Sequence, residues 1–200
     1  MAQATTLQAT LAGVLWPAES AHKALRFAVL AVVGTLLLTL AAKIQVPFYP
    51  VPMTMQTLVV LGLGMAYGWR LGGATLLLYL AEGAVGLPVF AGTPEKGIGL
   101  AYMLGGTGGY LLGFVLAAAA CGYLAERGWD RNVLTTALAM LIGNVLIYVP
   151  GLFWLGTLFG WDKPIFAWGL TPFLLGDLLK LVLAAALLPL AWKLVRRKRS

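Results

Sequence analysis

The sequence predicts an all-α integral membrane protein with six transmembrane helices and both termini on the cytoplasmic side, and three observations carry that reading. Of its 200 residues, 60% are hydrophobic and 10% charged, and the mean hydropathy is +0.89. A globular chain holds about 25% charged residues. Apolar stretches recur along the whole length, and at roughly 20 apolar residues per span there is room for about six or seven. Basic residues gather on one set of the intervening loops. The chain, 1–200, therefore reads as a single transmembrane domain, with no room for a folded ATPase, kinase or nucleic-acid module.

Charges and prolines mark the elements. The first 20 residues contain no Lys or Arg and a weak apolar stretch, which predicts an interfacial segment around Leu11 to Trp16 and no cleaved leader. Span one is 24–42, ended by Lys43 and a loop holding Pro47, Pro50 and Pro52. Span two is short, 53–67; span three, 71–87, is closed by Pro88. After the polar loop 92–97 comes span four, 102–125. The cluster Glu126, Arg127, Asp130, Arg131 separates it from span five, 133–159. Asp162 and Lys163 introduce span six, 164–192, with Pro172 near its start.

Orientation follows from the basic residues. With both termini inside, the inner flanks collect Lys23, Arg26, Arg70, Arg127, Arg131, Lys193, Arg196, Arg197, Lys198 and Arg199, while the outer loops keep Lys43, Lys96 and Lys163. Ten against three is a positive-inside bias, expected of a multi-pass protein of the cell inner (cytoplasmic) membrane. The net charge of +7 then marks a flank against the lipid bilayer, and no nucleic-acid partner is expected. Small residues also recur every fourth position, at Gly64, Gly68 and Gly72, at Gly105, Gly109 and Gly113, and at Ala24 and Ala28. That spacing lets helices approach closely in lipid. It predicts tight packing inside the bundle first and a docking face for another membrane protein second.

Catalytic signatures are missing. The sequence has no phosphate loop, no H-E-x-x-H, no G-x-S-x-G and a single cysteine, Cys121, so no enzyme, metal or cofactor is expected. The one histidine, His22, lies at a cytoplasmic flank. Three ionisable groups do fall within spans: Glu82, Asp177 and Lys180. A charge there is costly and normally faces the bundle interior or a wet cavity. Asp177 and Lys180 are three residues apart and share a helix face. They read either as a self-neutralising pair or as a polar clamp, a carboxylate to accept N–H groups and an ammonium to meet an oxygen. Depth favours the clamp. Thr54 and Gln56 sit near the outer start of span two, and Glu82 lies about five residues, roughly 7–8 Å, below the outer end of span three. Asn144 and Tyr148 share a face of span five, and Asp177 falls five residues after Pro172. These groups converge on the outer half of the bundle as a polar-lined, outward-opening pocket for a small solute. For each a plainer role stands beside this one: Thr54 and Gln56 as helix caps, Asn144 as an interhelical bond, Glu82 as a packing residue bonded by Tyr79. A proton-coupled secondary carrier is the main alternative function, and a ligand-free structural subunit the next.

The segments QVPFYPVPMTMQT (45–57), GAVGLPVFAG (83–92), GGTGGYLLGF (105–114) and GDLLK (176–180) resemble the BioY family in order and spacing. The resemblance runs over about 24–190, with Gly106 standing where the family commonly has proline. BioY proteins are the biotin-specific substrate-binding components of energy-coupling factor (ECF) transporters. The resemblance implies a six-helix bundle with an outward-opening vitamin site in which Asp177 and Lys180 bind biotin. Lys180 is left to meet either the ureido oxygen or the carboxylate. It implies a lid in the loop 47–52, and Phe90, Tyr110 and Trp154 are the aromatic candidates beside the rings. It also implies partners: an ECF transmembrane coupling protein, met through Ala24 and Ala28, and separate ATPase subunits.

Overall fold

A helix with lipid on one side and protein on the other is apolar all round, so its buried stripe, not its pattern of polarity, shows where its neighbours are. The first long helix of the computed structural model, which describes residues 10–17 and 22–197, shows this well. It runs Lys23–Lys43 (α2), preceded by a single turn, Leu11–Leu15 (α1), capped by the Thr10 hydroxyl. Ala31, Gly34, Thr35, Leu38, Ala41 and Ala42 form its buried stripe, while Leu36, Leu37 and Leu40 on the other faces are exposed. The stripe is narrow because small residues bring α2 close to its neighbours. A methyl group at Gly34 would stand 2.5 Å from the Thr75 side chain.

The expected second span begins later than 53. Proline lacks an N–H and forces the residue before it into extended backbone, so Pro47, Pro50 and Pro52 cannot continue a helix. Instead Gln45–Val46 (β1) pairs antiparallel with Met53–Thr54 (β2), and the helix proper is Gln56–Tyr67 (α3), whose first N–H is taken by the Thr54 hydroxyl. Trp69–Ala84 (α4) follows after one residue, Gly68, whose φ of +83° suits glycine. The two helices fold back as a hairpin in which Gly72 packs on the Gly64 backbone.

The fourth and sixth spans are each broken. Gly99–Met103 (α5) and Gly108–Glu126 (α6) replace the continuous 102–125, because the run Gly105-Gly106-Thr107-Gly108 turns sharply. A side chain at Gly108 would strike the Met103 carbonyl at 2.1 Å. Likewise 164–192 divides into Ile165–Gly169 (α8), a 3₁₀ turn Thr171–Phe173 containing Pro172, and Leu174–Arg197 (α9). Between them a second 3₁₀ turn, Trp129–Arg131, leads into Val133–Phe159 (α7), which matches the expected span residue for residue.

Among the described residues four stretches are long and apolar enough to cross a membrane: Lys23–Lys43, Gly108–Glu126, Val133–Phe159 and Ile165–Val195. At a 1.5 Å rise α3, with 12 residues, is only about 18 Å long. The glycine spacings serve the interior. A methyl at Gly64 would lie 2.4 Å from the Ala118 carbonyl of α6, and one at Gly113 would lie 2.7 Å from Ile147 of α7. With only hydrogen at these positions the backbones come close enough for the van der Waals packing that holds helices together in lipid. Of the C-terminal basic cluster, Lys198 and Arg199 lie outside the described residues, as do 1–9 and 18–21.

Candidate ligand-binding site

The breaks in α5–α6 and α8–α9 and the loop 47–52 turn their irregular backbone toward one cavity. Counted out through its open mouth, it spans about 560 Å³. Val51 and Pro52 of the loop 47–52, Phe90 of the loop after α4, Tyr102 of α5, Tyr110, Leu111 and Phe114 of α6, Ile147 of α7 and Phe173 make its apolar wall. Phe90 and Tyr102 are stacked, 5.0 Å between ring centres and 17° between planes. Phe90 reaches this position because its ring lies on Gly83, where any side chain would displace it.

The polar end is built from α3, α7 and α9. Asp177 and Lys180 form an ion pair of 3.0 Å, each side chain 8% exposed. The Thr57 hydroxyl donates to Asp177 Oδ1 at 3.0 Å, and the Tyr148 hydroxyl donates to Asp177 Oδ2. Lys180 Nζ donates also to the Thr54 carbonyl at 2.7 Å and to Thr57 Oγ1 at 2.9 Å. Such pairing is what permits two charges in a low-dielectric interior. Beside them the buried Gln56 gives its amide N–H to the Tyr79 hydroxyl at 2.8 Å, and Tyr79 in turn donates to the Val89 carbonyl at 2.8 Å. This chain fixes the loop that carries Phe90. The arrangement offers a carboxylate, an ammonium and an amide at one end of an aromatic slot.

Of the residues expected at the site, Asp177, Lys180, Tyr148, Gln56, Thr54, Phe90 and Tyr110 line this cavity. Three further expected residues lie outside that lining. Asn144 is buried one turn below Tyr148, outside the lining, with its Oδ1 unpartnered. Glu82 faces α2, where it accepts the Thr35 hydroxyl at 3.0 Å, and Tyr79 is not its partner. Trp154 turns away and donates to the Gly105 carbonyl at 2.8 Å. Geometry puts them elsewhere because a helix face is wider than a cavity, and sharing a face or a depth is not sharing a wall. Thr57, Tyr102, Thr107 and Phe173 line the cavity without having been singled out. Thr57 had a signal, its place beside Gln56 at the start of α3; the two aromatics had none in runs this apolar. Ala24 and Ala28 are exposed on α2 and absent from the cavity lining.

Comparison with known proteins gives a consistent result. The model of the BioY family matches residues 7–197. The "Biotin transporter BioY" of Thermotoga maritima is 36% identical over 151 residues, covering 76% of this chain and 86% of that protein. The protein of the same name from Rhizobium etli is 36% identical over 157 residues, 75% of this chain and 82% of its own. The fold matches a 2.1 Å crystal structure of "the S-component for biotin from an ECF-type ABC transporter" with a TM-score of 0.71, 23% identity, and coverage of 91% of this chain and 95% of that one. This chain belongs to the BioY family.

Proposed function

We propose that this chain binds biotin in the cavity below its lid and delivers it inward as the substrate-binding component of an ECF-type transporter. One observation carries the reading: a buried carboxylate and ammonium stand together at the end of an aromatic-lined slot. Biotin has matching chemistry. Its ureido ring carries two N–H donors and a carbonyl, its fused thioether ring is apolar, and its chain ends in a carboxylate. Asp177 accepts a ureido N–H, Lys180 stands beside it as the counter-charge that keeps the carboxylate ionised, and Phe90, Tyr102 and Tyr110 flank the rings. The ureido end belongs here because only this end of the slot has a carboxylate to receive N–H groups. The relatives' names support the same ligand.

The finer membrane arrangement is part of the proposal. The six passes are α2, α3 with its hairpin, α4, α5–α6, α7 and α8–α9, in the cell inner membrane with both termini cytoplasmic, which puts the lid and Lys96 outside. Energy comes from separate ATPase subunits through a transmembrane coupling protein, which docks on the face of α2 holding Ala24 and Ala28. The test is titration of biotin into the detergent-purified chain. Tight, gradient-independent binding is expected, and no binding would sink the reading. A tag in the loop 92–97 should be reached from outside and one after Ser200 should not; the reverse overturns the orientation.

A further inference from the structure

A lysine ammonium has three N–H groups, and all three of Lys180 are engaged: by the Thr54 carbonyl at 2.7 Å, Thr57 Oγ1 at 2.9 Å and Asp177 Oδ1 at 3.0 Å. Thr57 touches both members of the pair, because its own hydroxyl donates to Asp177 Oδ1 at 3.0 Å. It does so from α3, the neighbouring helix, while Asp177 and Lys180 both sit on α9. A carboxylate accepts about four hydrogen bonds, two at each oxygen. Oδ1 has received two, from Thr57 and Lys180, and Oδ2 one, from Tyr148. The acceptor left over is therefore on Oδ2.

We infer that Thr57 is a positioning residue for the ligand: by filling Oδ1 and bracing Lys180 it leaves Oδ2 as the oxygen that receives a ureido N–H. Without the brace, the pair three residues apart on one helix turns inward on itself. The lysine then takes the acceptor that the ligand needs. Thr57 acts through Asp177, and its hydroxyl, not its methyl, carries the effect. This rests on biotin being the ligand.

Biotin is titrated into the purified full-length chain as wild type, Thr57→Val, Thr57→Ser, Asp177→Asn and the double variant Thr57→Val/Asp177→Asn. Thr57→Val keeps the shape and removes the hydroxyl, and it should weaken binding about tenfold, the effect of one hydrogen bond to a charged group. Thr57→Ser should stay within about threefold of wild type. The double variant should bind about as weakly as Asp177→Asn alone, because residues acting through one carboxylate are not additive. Should the valine variant not purify folded, Thr57→Ala replaces it with the same tenfold gap to serine expected. Equal loss in Thr57→Ser, wild-type affinity in Thr57→Val, or full additivity with Asp177→Asn each overturns the inference while the wild type still binds. A wild type that ignores biotin overturns the proposed function and this inference with it.

Discussion

Two carboxylates are buried among the described residues, and α9 holds them both in place. Asp177 accepts from the Tyr148 hydroxyl, and Asp130, fully buried on the 3₁₀ turn before α7, accepts from the Trp192 indole N–H. Each has a cation nearby, Lys180 for the one and, for the other, the Arg131 guanidinium 4.7 Å from the Trp192 ring centre. Yet one pair borders a cavity and the other closes a junction. Asp177 lines the aromatic slot, while Asp130 is absent from its lining and ties the C-terminal half of α9 to the α6–α7 turn. Burial and an aromatic donor thus mark a carboxylate as satisfied, and space beside it marks it as available.

The largest expected effect is at Asp177. Asn there keeps the shape but turns one end into a donor and removes the charge. Hydrogen bonds to charged groups contribute about 1.5–3 kcal/mol, so Asp177→Asn should weaken biotin binding roughly ten- to a hundredfold. Asp177→Ala should do at least as much, since it leaves Lys180 a buried cation without its counter-charge. Titration reads both. Near-normal affinity in both variants would make the Asp177–Lys180 pair as structural as the Asp130 junction.

Trp192→Phe tests the other side of the comparison. It removes the donor to Asp130 while keeping an aromatic ring, at a cost of about 1–3 kcal/mol in stability. A lower melting temperature in detergent with biotin affinity within about threefold of wild type is the expected outcome. Lost affinity at an unchanged melting temperature would mean that the junction, too, serves the site.

Replacing Ala24 and Ala28 together by Leu should leave both affinity and melting temperature near wild type, because both residues are exposed on α2. Co-purification with the transmembrane coupling protein should fall, since bulk keeps helices apart at small-residue contacts. A loss of biotin binding would move this face into the bundle.

How much of this was legible beforehand depends on what kind of signal each part leaves. Long apolar runs bounded by charges gave α2 and α7 within a residue. The breaks in spans four and six were harder. Gly105–Gly108 and Pro172 were visible, yet an apolar run continues through both, and only tertiary packing shows the chain turning there to line the cavity. At the cavity, charge was the signal: Asp177 and Lys180 are costly in a span, and both line the wall. Asn144 and Glu82 shared their depth but not their direction, and helix rotation is not readable from sequence when every face is apolar. Thr57, despite its place beside Gln56, was not singled out, because a threonine in a helix bonds its own backbone as easily as it serves a site.

The smallest effect is expected at Glu82, a third carboxylate that is only partly buried, and it sharpens the comparison most. Glu82 is only partly buried, at the α2–α4 contact, and its recorded partner is the neutral Thr35 hydroxyl at 3.0 Å. Gln keeps an oxygen to accept that hydroxyl and removes the charge, so the bond falls from the charged class to the neutral one, a loss of about 1 kcal/mol. Tyr79, a turn earlier on α4, holds Gln56, which lines the cavity, and so connects Glu82's helix to it. That connection runs through hydrogen bonds that Glu82→Gln leaves in place. Biotin affinity should therefore stay within about twofold, with a small fall in melting temperature that Thr35→Val reproduces. Tenfold weaker binding in Glu82→Gln would show that its charge is felt inside the slot. Bordering the cavity would then no longer separate a binding carboxylate from a structural one.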